Sequence, residues 1–417
     1  MKHLLALALV LAFAAAAWAE DWPRFRGPTG QGLSAETGLA TEWSPTSGIA
    51  WKTPIPGSGW SSPIISGDRV YVTAAAGNGA SLHLLCLDRK TGAIQWDKEV
   101  LKQETGNKRE ENTFATPTPV TDGQRVYVLA FDGSFVAVTM DGEPVWAWRE
   151  FKFYSQHGLA VSPILYKDLV IAPFDWSSRG PDKYVGWQTP WEEAFVVAID
   201  KNTGKTAWKT KRGPSRIAHV TPLVINVNGE DQLVSTAGDV CQGFNPTSGE
   251  LLWTCAGKGE TPIPAIVAGD GLVFTTPGFG GPPALRAVRM GGKGDITKTH
   301  IAWEDPKDVP MVASMIYVKP YLFALADTGV LRCLKAETGE VVWRERLSGK
   351  FWPSPIWAEG RLYCTSDKGE TTIVEAGPAF KVVGKGTLDE KTMASPAVSQ
   401  KQIFIRTEKA LWCIGAK

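Results

Sequence analysis

A tryptophan that returns after the same turn constrains this chain more than any other feature. The run from Asp88 through Thr91-Gly92 to Trp96 recurs as Asp200 through Thr203-Gly204 to Trp208. It recurs again as Asn245 through Ser248-Gly249 to Trp253, and as Lys335 through Thr338-Gly339 to Trp343. Looser copies end at Trp146 and Trp303. A period of roughly 40 to 60 residues in strand-type sequence is the mark of a radial β repeat. It constrains architecture far more than chemistry.

The stretch ahead of each tryptophan motif repeats too. Ser62-Pro63 opens the run to Val70-Tyr71-Val72, and Thr118-Pro119 opens the run to Val126-Tyr127-Val128. Ser162-Pro163, Thr221-Pro222, Ser354-Pro355 and Ser395-Pro396 open equivalent segments; Ile263-Pro264 opens a looser one, and Ser314-Met315 has lost the proline. These anchors predict eight units. Short apolar runs bounded by Gly/Asp turns read as antiparallel strands joined by hairpins, four to a unit. Asp or Asn at the first turn position bonds back to the backbone, and Gly supplies the positive φ that closes the turn. Proline is tolerated where a strand begins, since its missing N–H need not serve the ladder there.

The expected fold is therefore all-β, an eight-bladed propeller. Trp51, Trp96, Trp146, Trp208, Trp253, Trp303 and Trp343 are read as structural joints, each indole flat between blades with its N–H held by a neighbouring carbonyl. The eighth unit runs out after Leu411-Trp412-Cys413-Ile414, before a fourth strand, whereas Ile49-Ala50-Trp51-Lys52 is a last strand with no unit ahead of it. Pairing the two predicts ring closure, which hides the sheet edges. The seventh unit lacks its tryptophan, and Phe380 is the expected substitute wedge.

Residues 1–19 read as a secretory signal peptide: Lys2-His3, an apolar run from Leu4, and Ala17-Trp18-Ala19 before Glu20. An N-terminal extension over 20–47 and a propeller over 48–417 complete the expected organisation. Removing 1–19 takes Lys2 and no acid from 44 bases and 43 acids, leaving 43 against 43. A charge near zero gives no electrostatic footprint for nucleic acid or anionic lipid. A soluble, secreted or periplasmic monomer without a transmembrane segment is expected. Its first cysteine, Cys86, is far from the cleavage point of a lipoprotein. Cys86, Cys333 and Cys413 share one repeat position and read as small packing residues. Cys241 and Cys255 flank one turn and are the pair to test for a disulfide, which the oxidising compartment permits. Neither metal-type cysteine spacing nor a haem-attachment motif occurs, so no metal is expected.

The Thr-Gly-x-x-x-Trp repeats resemble those of the pyrroloquinoline quinone (PQQ)-like β-propeller proteins, over essentially the whole chain after residue 19. Trp22-Pro23-Arg24-Phe25-Arg26-Gly27-Pro28, Gly59-Trp60-Ser61-Ser62-Pro63 and the glycine-rich pieces at 278–282 and 291–297 look like a secreted bacterial branch of that family. Two kinds of relative imply different functions. Quinoprotein dehydrogenases hold PQQ and calcium over the axis and carry adjacent cysteines; no two cysteines are neighbours here. The propeller lipoprotein of the outer-membrane β-barrel assembly machinery catalyses nothing and binds proteins. The second kind sets the expectation: a non-catalytic binding or scaffold propeller, without a cofactor, engaging a protein or small ligand at its axial mouth. A PQQ-dependent oxidoreductase with calcium and a carbohydrate-binding propeller are the alternatives.

Three residues ahead of each anchoring proline, or of its counterpart, come Trp60, Thr116, Ala160, His219, Thr261, Val312, Trp352 and Met393; six ahead come His157 and Arg216. With Asn112 close by, Trp60, Asn112, His157, Arg216, His219 and Trp352 are the expected lining of a channel mouth. An Arg–His set suits an anionic group, and tryptophans stack on a sugar or an aromatic ring. No nucleophile–base pair stands out, so no catalytic residue is assigned. The glycine-rich pieces follow neither phosphate-loop nor dinucleotide spacing and read as permissive loops.

Overall fold

The computed structural model describes residues 20–155, 157–175, 185–257 and 259–416, so the expected signal peptide lies outside the described residues. Eight antiparallel blades follow one another in chain order. In blade one the strands are Ile64–Ser66, Arg69–Ala76, Ser81–Asp88 and Ile94–Lys102. The eighth blade combines Ala397–Ser399, Gln402–Arg406 and Ala410–Ile414 with Ile49–Pro54 as its outer strand, Trp51 lying opposite Cys413. Ring closure by the N-terminal strand is thus observed, with the strand two residues longer than the sequence suggested.

The turns form as their residue types dictate. Asp88 Oδ1 accepts the backbone N–H groups of Lys90 and Thr91, and Asp200 does the same for Asn202 and Thr203. This leads the chain into the glycine, which carries the indole of the preceding blade. The N–H groups of Trp51, Trp146, Trp208, Trp303 and Trp343 donate across to Arg89 O, Lys201 O, Pro246 O, Ala336 O and Gly377 O, at 2.8 to 3.2 Å. The residue opposite each tryptophan on the third strand is small: Cys86 faces Trp96, Ala137 Trp146, Ala198 Trp208, Cys333 Trp343 and Cys413 Trp51. Room for the ring is what those cysteines provide.

Two joints depart from the expected donor pattern. Trp96 packs on Tyr71, with ring centroids 5.9 Å apart, and its buried N–H meets no acceptor. Trp253 bonds Gln232 Oε1 of its own blade at 2.9 Å. The cause is an insertion in blade five: Gly294–Asp295 runs parallel along the outer edge of blade four, beside Trp253 and Thr254, and folds the indole back over Gly243.

Blade seven solves its missing tryptophan differently from the expectation. Phe380 meets the edge of Trp343 in blade six, with centroids 5.4 Å apart, and is not at the repeat position. That position is Gly384, opposite the larger Ile373. Extension residues Glu42–Trp43 lie parallel to Lys385 and Gly386, and a methyl group on Gly386 would fall 2.0 Å from the Trp43 ring. Trp43, 6% exposed, supplies the indole from the extension.

Blade five also corrects the anchor. Its first strand is Val267–Gly269, so by the spacing of the other blades the anchor is Ala265-Ile266, two residues after Ile263-Pro264. Cys241 and Cys255 sit directly opposite one another in blade four, the register expected of the pair, and both are buried thiols.

Candidate functional site

The innermost strands surround the axis, and their Ser/Thr anchors close a belt around it. The backbone N–H of Ser62 donates to Thr118 Oγ1, that of Thr118 to Ser162 Oγ, and that of Ser162 to Thr221 Oγ1, at 2.9 to 3.1 Å. The belt resumes from Ala265 N to Ser314 Oγ, then to Ser354, Ser395 and back to Ser62. It breaks only at blade five, where Ala265 brings no hydroxyl. These buried hydroxyls are committed to joining blades, which explains the Ser/Thr of each anchor as the proline alone did not.

The extension crosses one end of this channel. Trp22 exchanges backbone bonds with Ile65 in blade one, and Pro23 O accepts from Thr121 N in blade two. The fully buried Arg26 guanidinium donates to Gln31 O and to Met315 O in blade six, both at 2.6 Å. Gln31 Oε1 accepts Ala268 N in blade five, and Gly32 O accepts Trp357 N in blade seven. Phe25, carried on this strap, reaches the channel wall. A cavity of about 540 Å³ is left along the axis.

Five of the six expected mouth residues line that cavity: Trp60, Asn112, His157, His219 and Trp352. Trp60 is fixed by its N–H on Glu111 O at 3.0 Å, and Asn112 donates to His157 O at 2.8 Å. The His157 and His219 rings lie 6.5 Å apart. Arg216 is not part of the lining; it forms a two-point ion pair with Asp239, at 2.8 and 2.5 Å. Asp239 holds that guanidinium's proton above its ordinary range.

Both histidines are more than nine-tenths buried, with their Nδ1 atoms unpartnered. Burial first, then Arg109, lowers His157 to about 4. Burial first, then His157, lowers His219 to about 3. Both rings are therefore neutral near pH 7. With Arg216 engaged elsewhere, the expected anion-binding Arg–His set does not assemble.

Sequence reasoning missed Phe25, Trp187, Glu260, Phe279 and Asp327, all of which line the cavity. Trp187 lies in the stretch between the second and third strands of blade three, which is longer there than in any other unit. Its ring stands edge-on to His157 at 5.4 Å, and its side chain hydrogen-bonds Glu260. Glu260 and Phe279 exchange backbone hydrogen bonds at 2.6 Å. Gly278 allows that approach, since a methyl group there would fall 2.3 Å from Glu260 O. The glycine-rich loop thus presents Phe279 to the mouth. Glu260 keeps a buried Oε2 without a partner, and burial raises its pKa.

Quinone and metal chemistry find little purchase here. Among the described residues no group of three or more His, Cys, Asp or Glu side chains stands close enough to hold a metal ion. Among the described lining residues, the acids Glu111, Glu260 and Asp327 are matched by one cation, Arg109, which pairs with Glu111 at 3.6 Å, and Arg216 acts on Glu260 from outside the lining. The lining is acidic in balance and its one cation is already paired with Glu111, so it fits a carboxylate-bearing quinone such as PQQ poorly. Among the described residues, no helix is long and apolar enough to cross a membrane.

The family model described as outer membrane protein assembly factor BamB matches residues 26–105, 51–180, 189–282 and 300–377. Outer membrane protein assembly factor BamB of Moranella endobia is 22% identical over 309 residues, 70% of this chain and 72% of that protein. Its Salmonella typhimurium counterpart is 28% identical over 156 residues, 36% of this chain; the match spans only 34% of that relative's length. In fold, the crystal structure of BamB from Moraxella catarrhalis superposes with a TM-score of 0.58 at 12% identity, covering 88% of this chain and 97% of that one.

Proposed function

This chain belongs to the family described as outer membrane protein assembly factor BamB, and from that premise we propose a non-catalytic binding propeller of an extracytoplasmic compartment that takes its ligand at the axial mouth. The observation carrying this reading is the cavity itself. It is walled by the rings of Trp60, Trp187 and Trp352 and lined by His157, His219 and Glu260. A concave space lined mainly by aromatic rings with a few polar side chains is the usual form of a ligand site. At this cavity the belt hydroxyls already accept backbone N–H bonds, and among the described lining residues no hydrogen bond joins a base to a nucleophile, which supports binding there over turnover. The relatives' designation as assembly factors supports a role in holding other molecules.

The test is to fill the cavity without disturbing the blades. Ala160 lines it and is half-buried, so Ala160→Trp should abolish ligand binding while the melting temperature stays within a few degrees of the parent. Undiminished binding by that variant would place the working surface elsewhere.

A further inference from the structure

We propose that Cys241 and Cys255 form a disulfide within blade four; this rests on the extracytoplasmic placement proposed above, because such a bond persists in an oxidising compartment. The two residues stand directly opposite one another on the antiparallel strands Val240–Phe244 and Leu251–Ala256, so their side chains share one face. Opposed residues of an antiparallel pair have Cα atoms about 4.5–5.5 Å apart, inside the span of about 4.4–6.8 Å that a disulfide bridges. The other cysteines face no second thiol. Cys86, Cys333 and Cys413 lie opposite indoles, and Cys364 lies opposite Thr372.

The pair also sits where the ring lacks its usual ties. The belt finds no hydroxyl in blade five, and the Trp253 N–H turns back to Gln232 of its own blade. Among the described residues this is the one joint at which belt bond and cross-blade indole bond are both missing. Blade five bonds along the outer strand that carries Cys255. Gly294 lies beside Trp253, Ile296 N donates to Thr254 O at 2.9 Å, and Arg286 Nη1 donates to Ala256 O at 2.9 Å. In return Ala256 N donates to Thr297 Oγ1 at 2.8 Å. A bond from Cys255 to Cys241 anchors that strand covalently in its own blade. In forming it, the two thiols lose two protons and two electrons, and one S–S bond is made. Oxidised glutathione, a small disulfide, gives up its own S–S bond and takes both, leaving as two thiols. Cys241 and Cys255 are 4% and 0% exposed, and burial pushes the Cys241 thiol up to about 12. Thiolate exchange is therefore slow in the folded ring, so the bond forms before blade five docks and resists reductant afterwards.

The experiment counts thiols by intact mass, alkylating the denatured protein with iodoacetamide before and after reduction. One sample is the protein purified from its native host; the other is refolded from reduced denaturant in a glutathione redox buffer. Four of the six cysteines should be alkylated in both samples, and all six after reduction. An unreduced digest should join the peptides that hold Cys241 and Cys255. Six alkylated cysteines in both samples, or a bond between any other two, overturns the proposal. Pairing in the refolded sample alone supports the pairing and contradicts the extracytoplasmic placement instead. Reduction in denaturant should lower the guanidinium midpoint of the bonded protein and leave that of the Cys241→Ser/Cys255→Ser variant unmoved. A bonded protein whose midpoint does not fall on reduction overturns the bond's role in holding the outer strand.

Discussion

Trp208 and Gly249 form one joint between blades three and four, and a double-mutant cycle on them tests how the ring is held together. Trp208 is 9% exposed and lies on the turn glycine of the next blade, bonding Pro246 O at 3.2 Å. Removing the indole leaves a cavity the two sheets cannot close, at a cost of about 3–5 kcal/mol. Gly249→Ala acts twice. Its φ of 76° costs an L residue about 1–2 kcal/mol. Its new methyl would stand 2.5 Å from the Trp208 ring, an overpacking worth about 1–3 kcal/mol more. Once Trp208 is alanine, the collision with the ring is gone and only the backbone part remains. The double variant should then be more stable than the sum of the single losses by about 1–3 kcal/mol. Gly67→Ala provides the backbone cost alone, since φ there is 58° and nothing lies within 4 Å of a new methyl. Guanidinium unfolding of the set is the assay. Losses that simply add would mean that indole and glycine are not in load-sharing contact.

Ser395→Ala leaves Ser354 N without its acceptor inside the belt, and should cost about 1–3 kcal/mol in chemical unfolding while removing a single hydroxyl from the cavity lining. Trp43→Ala should cost about 3–5 kcal/mol and make the 20–47 segment markedly more sensitive to limited proteolysis, because that indole ties the extension to blade seven. Acid should destabilise the protein before its carboxylates titrate. His157 and His219 are lowered from an ordinary 6.5 to about 4 and about 3, so the unfolded chain gains protons first. Stability is then lost as pH falls from about 6.5 toward those values. Urea midpoints measured between pH 7.5 and 5 should decline, and the decline should shrink in His219→Gln.

The blades were legible because their signals are local and repeated. A Thr-Gly turn, a small residue and an indole sit at fixed separations, so each copy corroborates the others. The closing strand could be read for the same reason: Trp51 carries the motif without a unit ahead of it. What escaped notice depends on residues far apart in sequence. Trp43 reaches Gly386 only because the extension wraps around to blade seven, and Gly384 opposite Ile373 looks like a degenerate repeat until the extra strand is in place. The mouth follows the same division. Trp60, His157, His219 and Trp352 are set by their distance from an anchor, whereas Trp187 and Phe279 arrive on lengthened connections between second and third strands, and Glu260 sits ahead of the one anchor the sequence misplaced. Arg216 was placed correctly along the chain, but nothing local announces that Asp239 has claimed it.

The central claim is that ligand is held at the axial mouth and not on the outer rim of the blades. Photo-crosslinking from p-benzoylphenylalanine at Phe279, which lines the cavity and is 40% exposed, and separately at Val341, exposed on the outer strand of blade six, tests it in the native host, with adducts identified by mass spectrometry. The account predicts a specific adduct from position 279 and none from position 341. Adducts from 341 alone would contradict it.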